Sequence, residues 1–285
     1  MANRIGVVTD STSDLPPEIV KELDIKIVPL NVHFGEETFV DGVEITVDQF
    51  YRRLQESPIL PTTSQPSPGM FKETYEKMSQ EYDTIISIHI SQKMSGTVQS
   101  ARMAAEMVKD RVQVVVIDSQ QVCVALGMMV MEIARLARKG AALRELVERI
   151  ASYPERSRTY FTVPTLDNLQ RTGRIGKAAA FLGQLLNIKP ILSFADGLII
   201  PVEKVRGTIE RVILRIIEII EGNVGNHRCS IAIAHGNVPD ILDFIEQSIH
   251  NSSIPVEKIY ISKIGSIVGS HAGPGAIGLN YLWEE

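Results

Sequence analysis

The chain has 285 residues, of which 44% are hydrophobic. Because a single hydrophobic core stops growing at about 250–300 residues, this length favours two domains over one. The net charge is −5, with acidic and basic residues well mixed. That balance argues against nucleic acid as a main partner, since phosphate binding requires a clustered basic face. The two cysteines, Cys123 and Cys229, indicate buried thiols of a reducing compartment and not a disulfide framework.

The apolar runs of the sequence are short. The first, at residues 5–8, leads directly into Asp10, which does not fit a signal peptide. The longest, at residues 122–131, has ten residues, too few to cross a bilayer. We therefore expect a soluble, cytoplasmic protein.

Short β-branched runs alternate with helical patterns over the first half of the chain. Asp14 is a candidate N-cap for a helix opened by Pro16 and Pro17, and Thr46 with Gln49 has the spacing of a capping box. Ser67 followed by Pro68 also predicts the start of a helix. This alternation predicts a parallel sheet with right-handed crossovers, and the apolar run at 112–117 is typical of a sheet covered on both faces. The expected strands are 5–8, 26–34, 39–43, 84–90 and 112–117, and the expected helices end near residues 23, 56, 81, 108 and 139.

The second half of the chain changes character after Pro154, and the pattern predicts an α+β domain. We place the boundary near Arg158, giving an N-terminal α/β domain at 1–158 and a C-terminal α+β domain at 159–285. The string Ala195-Asp-Gly197 predicts a hairpin turn. The expected strands are 159–163, 191–194, 198–205, 230–234 and 258–261, and the expected helices are 166–170, 175–186, 209–220 and 240–249.

Hydroxyl-rich turns follow several of the predicted strands, at the edge of a parallel sheet where ligands bind. The Ser-Gly-Thr turn at Ser95 and Gly96 also opens a helix, whose free N–H groups and positive dipole end favour an anion. The loop around Thr63 is rigid and rich in hydroxyls. These turns predict a small anion site, although Ser95 as a simple N-cap and the Thr63 loop as a plain solvent loop are the alternatives.

Other polar strings carry weaker signals. Asp10 and Asp14 could form a metal pair, but a helix cap and a strand-end turn explain them as well, and the histidines show no zinc-type spacing. The string Gly273-Pro-Gly-Ala-Ile-Gly278 matches G-x-G-x-x-G without the following helix, strand and acidic residue that a dinucleotide site needs. It predicts a tight backbone turn, next to which His271 could touch a ligand or form structural hydrogen bonds.

Taken together, these strings resemble the DegV family over nearly the whole chain. Each string is short, but their order and spacing make the combination specific. They are Asp10-Ser-Thr-Ser-Asp-Leu15, Thr63-Ser-Gln-Pro-Ser-Pro68, Ser95-Gly-Thr97, Leu169-Gln-Arg-Thr-Gly-Arg-Ile175, Lys204-Val-Arg-Gly207 and His271-Ala-Gly-Pro-Gly275.

The resemblance implies a two-domain fold that binds a long-chain fatty acid, such as palmitate, stearate or oleate, between its domains. It implies that Thr63 and Ser95 hold the carboxylate, with Arg174 and His271 near the head group. It further implies that some members present the acid to a separate fatty acid kinase, which Arg206 would be placed to contact. No catalytic residue, cofactor or metal is expected for such a binding protein.

Two other functions remain open from the sequence. A small phosphotransferase or hydrolase could use Asp10 and the turn at Ser95, although no nucleophile elbow or P-loop is present. A regulatory interaction protein could hold its lipid only as a structural filler. Our first hypothesis is a non-catalytic fatty-acid-binding protein that serves a kinase.

Overall fold

The computed structural model describes residues 4–182 and 188–284. The chain forms two compact units: Met1–Glu155 with Gly265–Ile267, and Arg156–Ile264 with Val268–Glu285. The main transition between the units therefore falls at 155/156, close to the expected boundary at 158/159. Among the described residues, no helix combines the length and the hydropathy that a membrane crossing requires.

The strands of the first unit are β1 (Ile5–Asp10), β2 (Lys26–Val28), β3 (Asn31–Phe34), β4 (Glu37–Val40), β5 (Thr62–Ser64), β6 (Thr84–His89) and β7 (Gln113–Asp118). Four of them form a parallel sheet in the order β2-β1-β6-β7. The others form a small antiparallel sheet in the order β4-β3-β5, which we call the excursion sheet. The helices are α1 (Pro17–Leu23), α2 (Val47–Glu56), α3 (Pro68–Met78), α4 (Thr97–Val108), α5 (Val124–Arg138), α6 (Leu143–Ala151) and α7 (Tyr153–Arg156).

Local signals predicted several of these elements correctly. Thr46 and Gln49 form the expected capping box at the start of α2, with Gln49 N donating to Thr46 Oγ1 and Thr46 N donating to Gln49 Oε1. Ser67 caps α3 and accepts from Met70 N. These predictions succeed because the residues that form each cap are close in sequence.

Two expectations for strands of the first unit are wrong in detail, and one helix was missed. The strand expected at 26–34 is divided into β2 and β3, which belong to different sheets. Pro29, between them, has no N–H to give to a ladder. Strand β7 lies at the edge of its sheet and is mostly half-buried, not covered on both faces. Helix α6 follows Gly140 and was not predicted.

The strands of the second unit are β8 (Ser157–Thr162), β9 (Ile188–Ala195), β10 (Leu198–Arg206), β11 (Cys229–His235), β12 (Val256–Lys263) and β13 (Ile277–Trp283). The helices are α8 (Asp167–Arg171), α9 (Ile209–Val224), α10 (Leu242–His250) and α11 (Ser266–Ala272), whose first two residues belong to the first unit. The strands form one six-stranded sheet in the order β10-β9-β8-β13-β11-β12, antiparallel except for the pair β11–β12. Helices α9 and α10 pack their isoleucine-rich faces against one side of it.

The hairpin predicted at Ala195-Asp-Gly197 is confirmed, with Asp196 and Gly197 at φ of 51° and 74°. The helix expected at 175–186 is wrong over Gly176–Phe181, which forms a 3-10 segment, and residues 183–187 lie outside the described residues. Strand β13 was not predicted, yet it lies between β8 and β11 inside the sheet. With a parallel-sheet unit and a separate mixed-sheet unit, the predicted α/β fold class is confirmed.

Candidate functional site

Strands β1 and β6 are parallel neighbours, so their carboxyl ends meet at one edge of the first sheet. Asp10 ends β1 and His89 ends β6, and both side chains are fully buried. Asp10 Oδ1 accepts from Thr12 N at 3.0 Å, and Asp10 Oδ2 accepts from Ile90 N at 3.0 Å. The expectation that Asp10 holds a strand-end turn is confirmed, and the same carboxylate also fixes the chain that leaves β6.

A buried relay extends from Asp10 through His89 to Ser87. His89 Nδ1 lies 3.0 Å from Asp10 Oδ2, and His89 Nε2 lies 2.6 Å from Ser87 Oγ. This order of hydroxyl, imidazole and carboxylate resembles a hydrolase triad. However, all three side chains are fully buried, Ser87 Oγ is also bonded to Tyr75 OH at 2.7 Å, and Phe71 packs edge-on against His89. No substrate can reach this serine, so we assign the relay a structural role.

The turn that follows β6 is held by hydrogen bonds on most of its backbone N–H groups. Ser91 N donates to Gln121 O at 3.0 Å, and Gln92 N donates to Asp118 Oδ1 at 3.1 Å. Ser95 N donates to Ser91 O at 3.1 Å. The turn is therefore anchored to the sheet edge before α4 begins, and Ser95 has a fixed backbone position.

Ser95 precedes the N-cap of α4 by one residue. The N-cap residue is Gly96, and Ser95 Oγ lies 2.9 Å from Thr97 Oγ1 and 3.4 Å from Thr97 N. Ser95 is thus not the N-cap residue itself, although its hydroxyl accepts from Thr97 N, the first N–H group of the helix. Because the first N–H groups of a helix lack intrahelical partners, the half-buried Ser95 hydroxyl lies beside a set of donors suited to an anion.

Thr63 lies in β5, opposite Val32 of β3. It is half-buried, and the neighbouring Ser64 Oγ lies 2.9 Å from His33 Nε2. The Thr63 string is therefore a short strand fixed to the excursion sheet, not the plain solvent loop of the alternative interpretation.

Gln65 connects the Thr63 strand to the Ser95 turn. A methyl group built on Gly96 would lie 2.6 Å from Gln65 Nε2 and 2.7 Å from Gln65 Cδ, so the Gln65 amide rests directly on the Gly96 backbone. Gln65 Nε2 also donates to Ser100 Oγ at 3.4 Å. The structure thus brings the two predicted strings together at the first turn of α4. Sequence reasoning missed Gln65, whose only signal was its place inside the Thr63-Ser-Gln-Pro66 string.

Two further carboxylates are buried in the first unit. Asp14 is not the expected N-cap of α1, which begins after Pro16; it ends a 3-10 turn in the left-handed conformation, with φ of 47°. Asp14 Oδ1 accepts from Gly265 N at 3.0 Å, and Asp41 Oδ1 accepts from Ser266 Oγ at 2.6 Å. Burial raises the pKa of Asp14 well above its ordinary value and also raises the pKa of Asp41.

The other predicted site residues lie in the second unit. His271 is half-buried. Its burial, reinforced by the positive charge of Arg174, lowers its pKa to about 4, so the imidazole is neutral at pH 7. Arg174 is exposed, and its Nη1 donates to Thr172 O at 2.5 Å. Arg206 is exposed at the end of β10. The structure brings Arg174 and His271 near each other, and their role at a head group stays a prediction.

The G-x-G-x-x-G string forms the expected backbone turn. Gly275 N donates to Gly236 O, and Gly236 N donates to Ala276 O, both at 2.7 Å. Gly273 and Gly275 have φ of 79° and 83°, which a side chain would strain. The turn connects α11 to β13, so its glycines serve the fold of the second unit.

Comparison with known proteins gives consistent matches over the whole chain. The family model described as "Uncharacterised protein, DegV family" matches residues 4–284. A DegV domain-containing protein of Listeria innocua is 38% identical, covering 99% of each chain. Two solved structures are also similar, each at 35% sequence identity over 99% of this chain and 100% of the solved chain. One is a DegV family protein from Thermus thermophilus, described for its fatty acid binding (TM-score 0.92). The other is DegV of Bacillus subtilis, described as a fatty acid binding protein (TM-score 0.91).

Proposed function

This chain belongs to the DegV family, and from that premise we propose that it binds a long-chain fatty acid such as palmitate, stearate or oleate. The carboxylate is held by the hydroxyls of Thr63 and Ser95. The observation that carries the proposal is the contact of Gln65 with Gly96, which joins the strand of Thr63 to the turn of Ser95. The fatty acid binding described for the Thermus thermophilus and Bacillus subtilis proteins supports it.

The proposed head-group site uses neutral donors. Ser95 precedes the N-terminus of the 12-residue helix α4, where the dipole and the free N–H groups favour a negative charge. Hydroxyls and backbone N–H groups can orient a carboxylate without the desolvation cost of a buried salt bridge. Such a site orients the ligand and contributes only part of the binding free energy.

The acyl chain supplies the larger share of the binding free energy. About 15 methylenes at ~0.8 kcal/mol each give a gross hydrophobic gain of ~12 kcal/mol when they are buried in an apolar tunnel. Losses of translational freedom and of chain conformations remove much of that gain. The protein therefore favours long acids over short ones, while the head-group site separates acids from other long-chain lipids.

Purified protein tests the proposal directly. Organic extraction followed by mass spectrometry is expected to release a long-chain fatty acid, and stripped protein is expected to take up added palmitate at about one molecule per chain. The absence of extractable lipid together with no uptake of palmitate, stearate or oleate would contradict the proposal.

We further propose that the protein is non-catalytic and presents its fatty acid to a separate ATP-dependent fatty acid kinase. Arg206, exposed at the end of β10, is the proposed contact for that partner. Reconstitution tests this step: acyl-phosphate is expected only when chain, kinase and ATP are all present, and Arg206→Ala is expected to slow its formation without changing palmitate affinity. Formation of acyl-phosphate by the isolated chain would favour the phosphotransferase alternative.

A further inference from the structure

Gly96 has no conformational need to be glycine. Its φ and ψ are −76° and 9°, values that alanine also adopts. The space where its side chain would stand is instead filled by Gln65, since an added methyl would lie within 2.7 Å of three atoms of the Gln65 amide, namely Oε1, Nε2 and Cδ. The absence of a side chain at Gly96 therefore permits a close approach of the Gln65 amide to the Gly96 backbone.

The Gln65 amide spans the first turn of α4. It lies against Gly96 at the N-cap and donates to Ser100 Oγ at 3.4 Å, so it contacts both ends of that turn. Ser100 N in turn donates to Gly96 O at 3.1 Å, which closes the turn beneath the amide. An amide offers two N–H donors and one carbonyl acceptor, and among the described residues only the donor to Ser100 is engaged.

We propose that Gln65 is a positioning residue of the head-group site, and this inference rests on the proposed function. Gln65 holds the Thr63 strand at a fixed distance from the first turn of α4, so that the Thr63 and Ser95 hydroxyls point to one carboxylate. Pro66 follows immediately and is buried, which restricts the backbone of Gln65 and limits the entropy lost in holding this contact. Gln65 thereby determines the preference for an acid over an uncharged lipid of equal length.

Affinities for palmitate and for hexadecanol, measured on the full-length, lipid-stripped chain, test this inference. Gln65→Ala is expected to weaken palmitate binding about tenfold, as the loss of one hydrogen-bonded contact does, and hexadecanol binding less than about twofold. Gln65→Glu keeps the length of the side chain but places a negative charge beside the carboxylate. It is expected to weaken palmitate binding by more than about tenfold and to leave hexadecanol binding unchanged.

A double-mutant cycle that combines Gln65→Ala with Gly96→Ala shows whether the methyl at position 96 acts by displacing Gln65 or by blocking the ligand directly. Alone, Gly96→Ala should displace Gln65 and weaken palmitate binding as much as Gln65→Ala does. In the Gln65→Ala background it should have no further effect. Gln99→Ala, an exposed glutamine of the same helix, is the matched control and should bind palmitate like the wild type.

The outcomes distinguish the inference from the function on which it rests. If wild-type protein binds neither lipid, the proposed function fails. If wild-type protein binds palmitate and Gln65→Ala binds it equally well, the positioning role is overturned while the function stands. The positioning role would also be overturned if Gln65→Ala weakened palmitate and hexadecanol binding equally. It would be overturned as well if Gly96→Ala weakened palmitate binding as strongly in the Gln65→Ala background as it does alone.

Discussion

Asp10 and His89 form a hydrogen-bonded pair in the interior of the first unit, with 3.0 Å between Asp10 Oδ2 and His89 Nδ1. The pair joins the carboxyl ends of β1 and β6, and the same carboxylate oxygen accepts from Ile90 N. The turn that carries Ser95 leaves β6 directly after this point. The pair therefore connects the stability of the first unit to the position of the proposed head-group site.

Asp10→Ala is expected to destabilise the protein by about 3 kcal/mol or more, because it leaves a buried imidazole and buried N–H groups without their acceptor. Urea unfolding with and without the substitution measures this difference. Asp110→Ala removes an exposed carboxylate and is the matched control, expected to change stability by less than about 0.5 kcal/mol. Equal unfolding midpoints for Asp10→Ala and Asp110→Ala would contradict the structural role of the relay.

Asp14→Asn is expected to stabilise the protein at alkaline pH. Burial raises the folded-state pKa of Asp14, so the folded chain binds this proton more tightly than the unfolded chain. Stability of the wild type therefore falls as pH rises from the unfolded-state value, near 3.8, toward the raised pKa, by up to ~1.4 kcal/mol per pH unit. Asparagine keeps an acceptor for Gly265 N, tolerates φ of 47° and carries no charge.

Unfolding free energies of both proteins at several pH values between 5 and 9 test the direction of this pH dependence. The advantage of Asp14→Asn over the wild type should grow as pH rises and shrink as pH falls. An advantage that is independent of pH, or a variant that is less stable than the wild type at pH 9, would contradict a folded-state pKa of Asp14 that is raised by burial.

Gly127→Ala and Gly222→Ala are expected to have opposite effects, although both replace a glycine inside a helix. A methyl on Gly127 in α5 would lie 2.6 Å from the carbonyl oxygen of Ser13, a backbone atom that cannot move cheaply, so a loss of about 1–3 kcal/mol is expected. A methyl on Gly222 in α9 meets no described atom within 4 Å, so the helix propensity of alanine should add about 0.5–1 kcal/mol.

Thermal unfolding of the two variants beside the wild type measures both effects. A higher melting temperature for Gly222→Ala and a lower one for Gly127→Ala is the expected result. Stabilisation by Gly127→Ala would mean that α5 and the turn at Ser13 are not packed as closely as described.

The features that were predicted correctly from the sequence depend on residues that lie close together in the chain. The capping box at Thr46 and Gln49, the cap at Ser67 and the hairpin at Asp196-Gly197 each depend on residues within four positions of one another. Strand β13 was missed because its place between β8 and β11 depends on pairings with distant segments. Asp14 was misassigned for the same reason, since its partner Gly265 lies 251 positions away.

The candidate site was predicted only in part, because it too depends on a contact between segments that are distant in sequence. Residue chemistry and strand-end placement indicated the Thr63 and Ser95 strings separately, and the family resemblance supplied the fatty acid. The contact that joins them, Gln65 against Gly96, is tertiary and carries no periodic or compositional signal. The reason for glycine at position 96 therefore became visible only in three dimensions.

The most direct test of the central claim is calorimetric titration of lipid-stripped protein with palmitate, comparing the wild type with a Thr63→Ala, Ser95→Ala variant. Loss of two hydroxyl contacts should weaken binding at least about tenfold and leave the melting temperature of the lipid-free protein nearly unchanged. The matched control replaces the exposed neighbours, Thr62→Ala with Gln99→Ala, and should bind like the wild type. Wild-type affinity in the Thr63→Ala, Ser95→Ala variant would contradict the assignment of these hydroxyls as the carboxylate site.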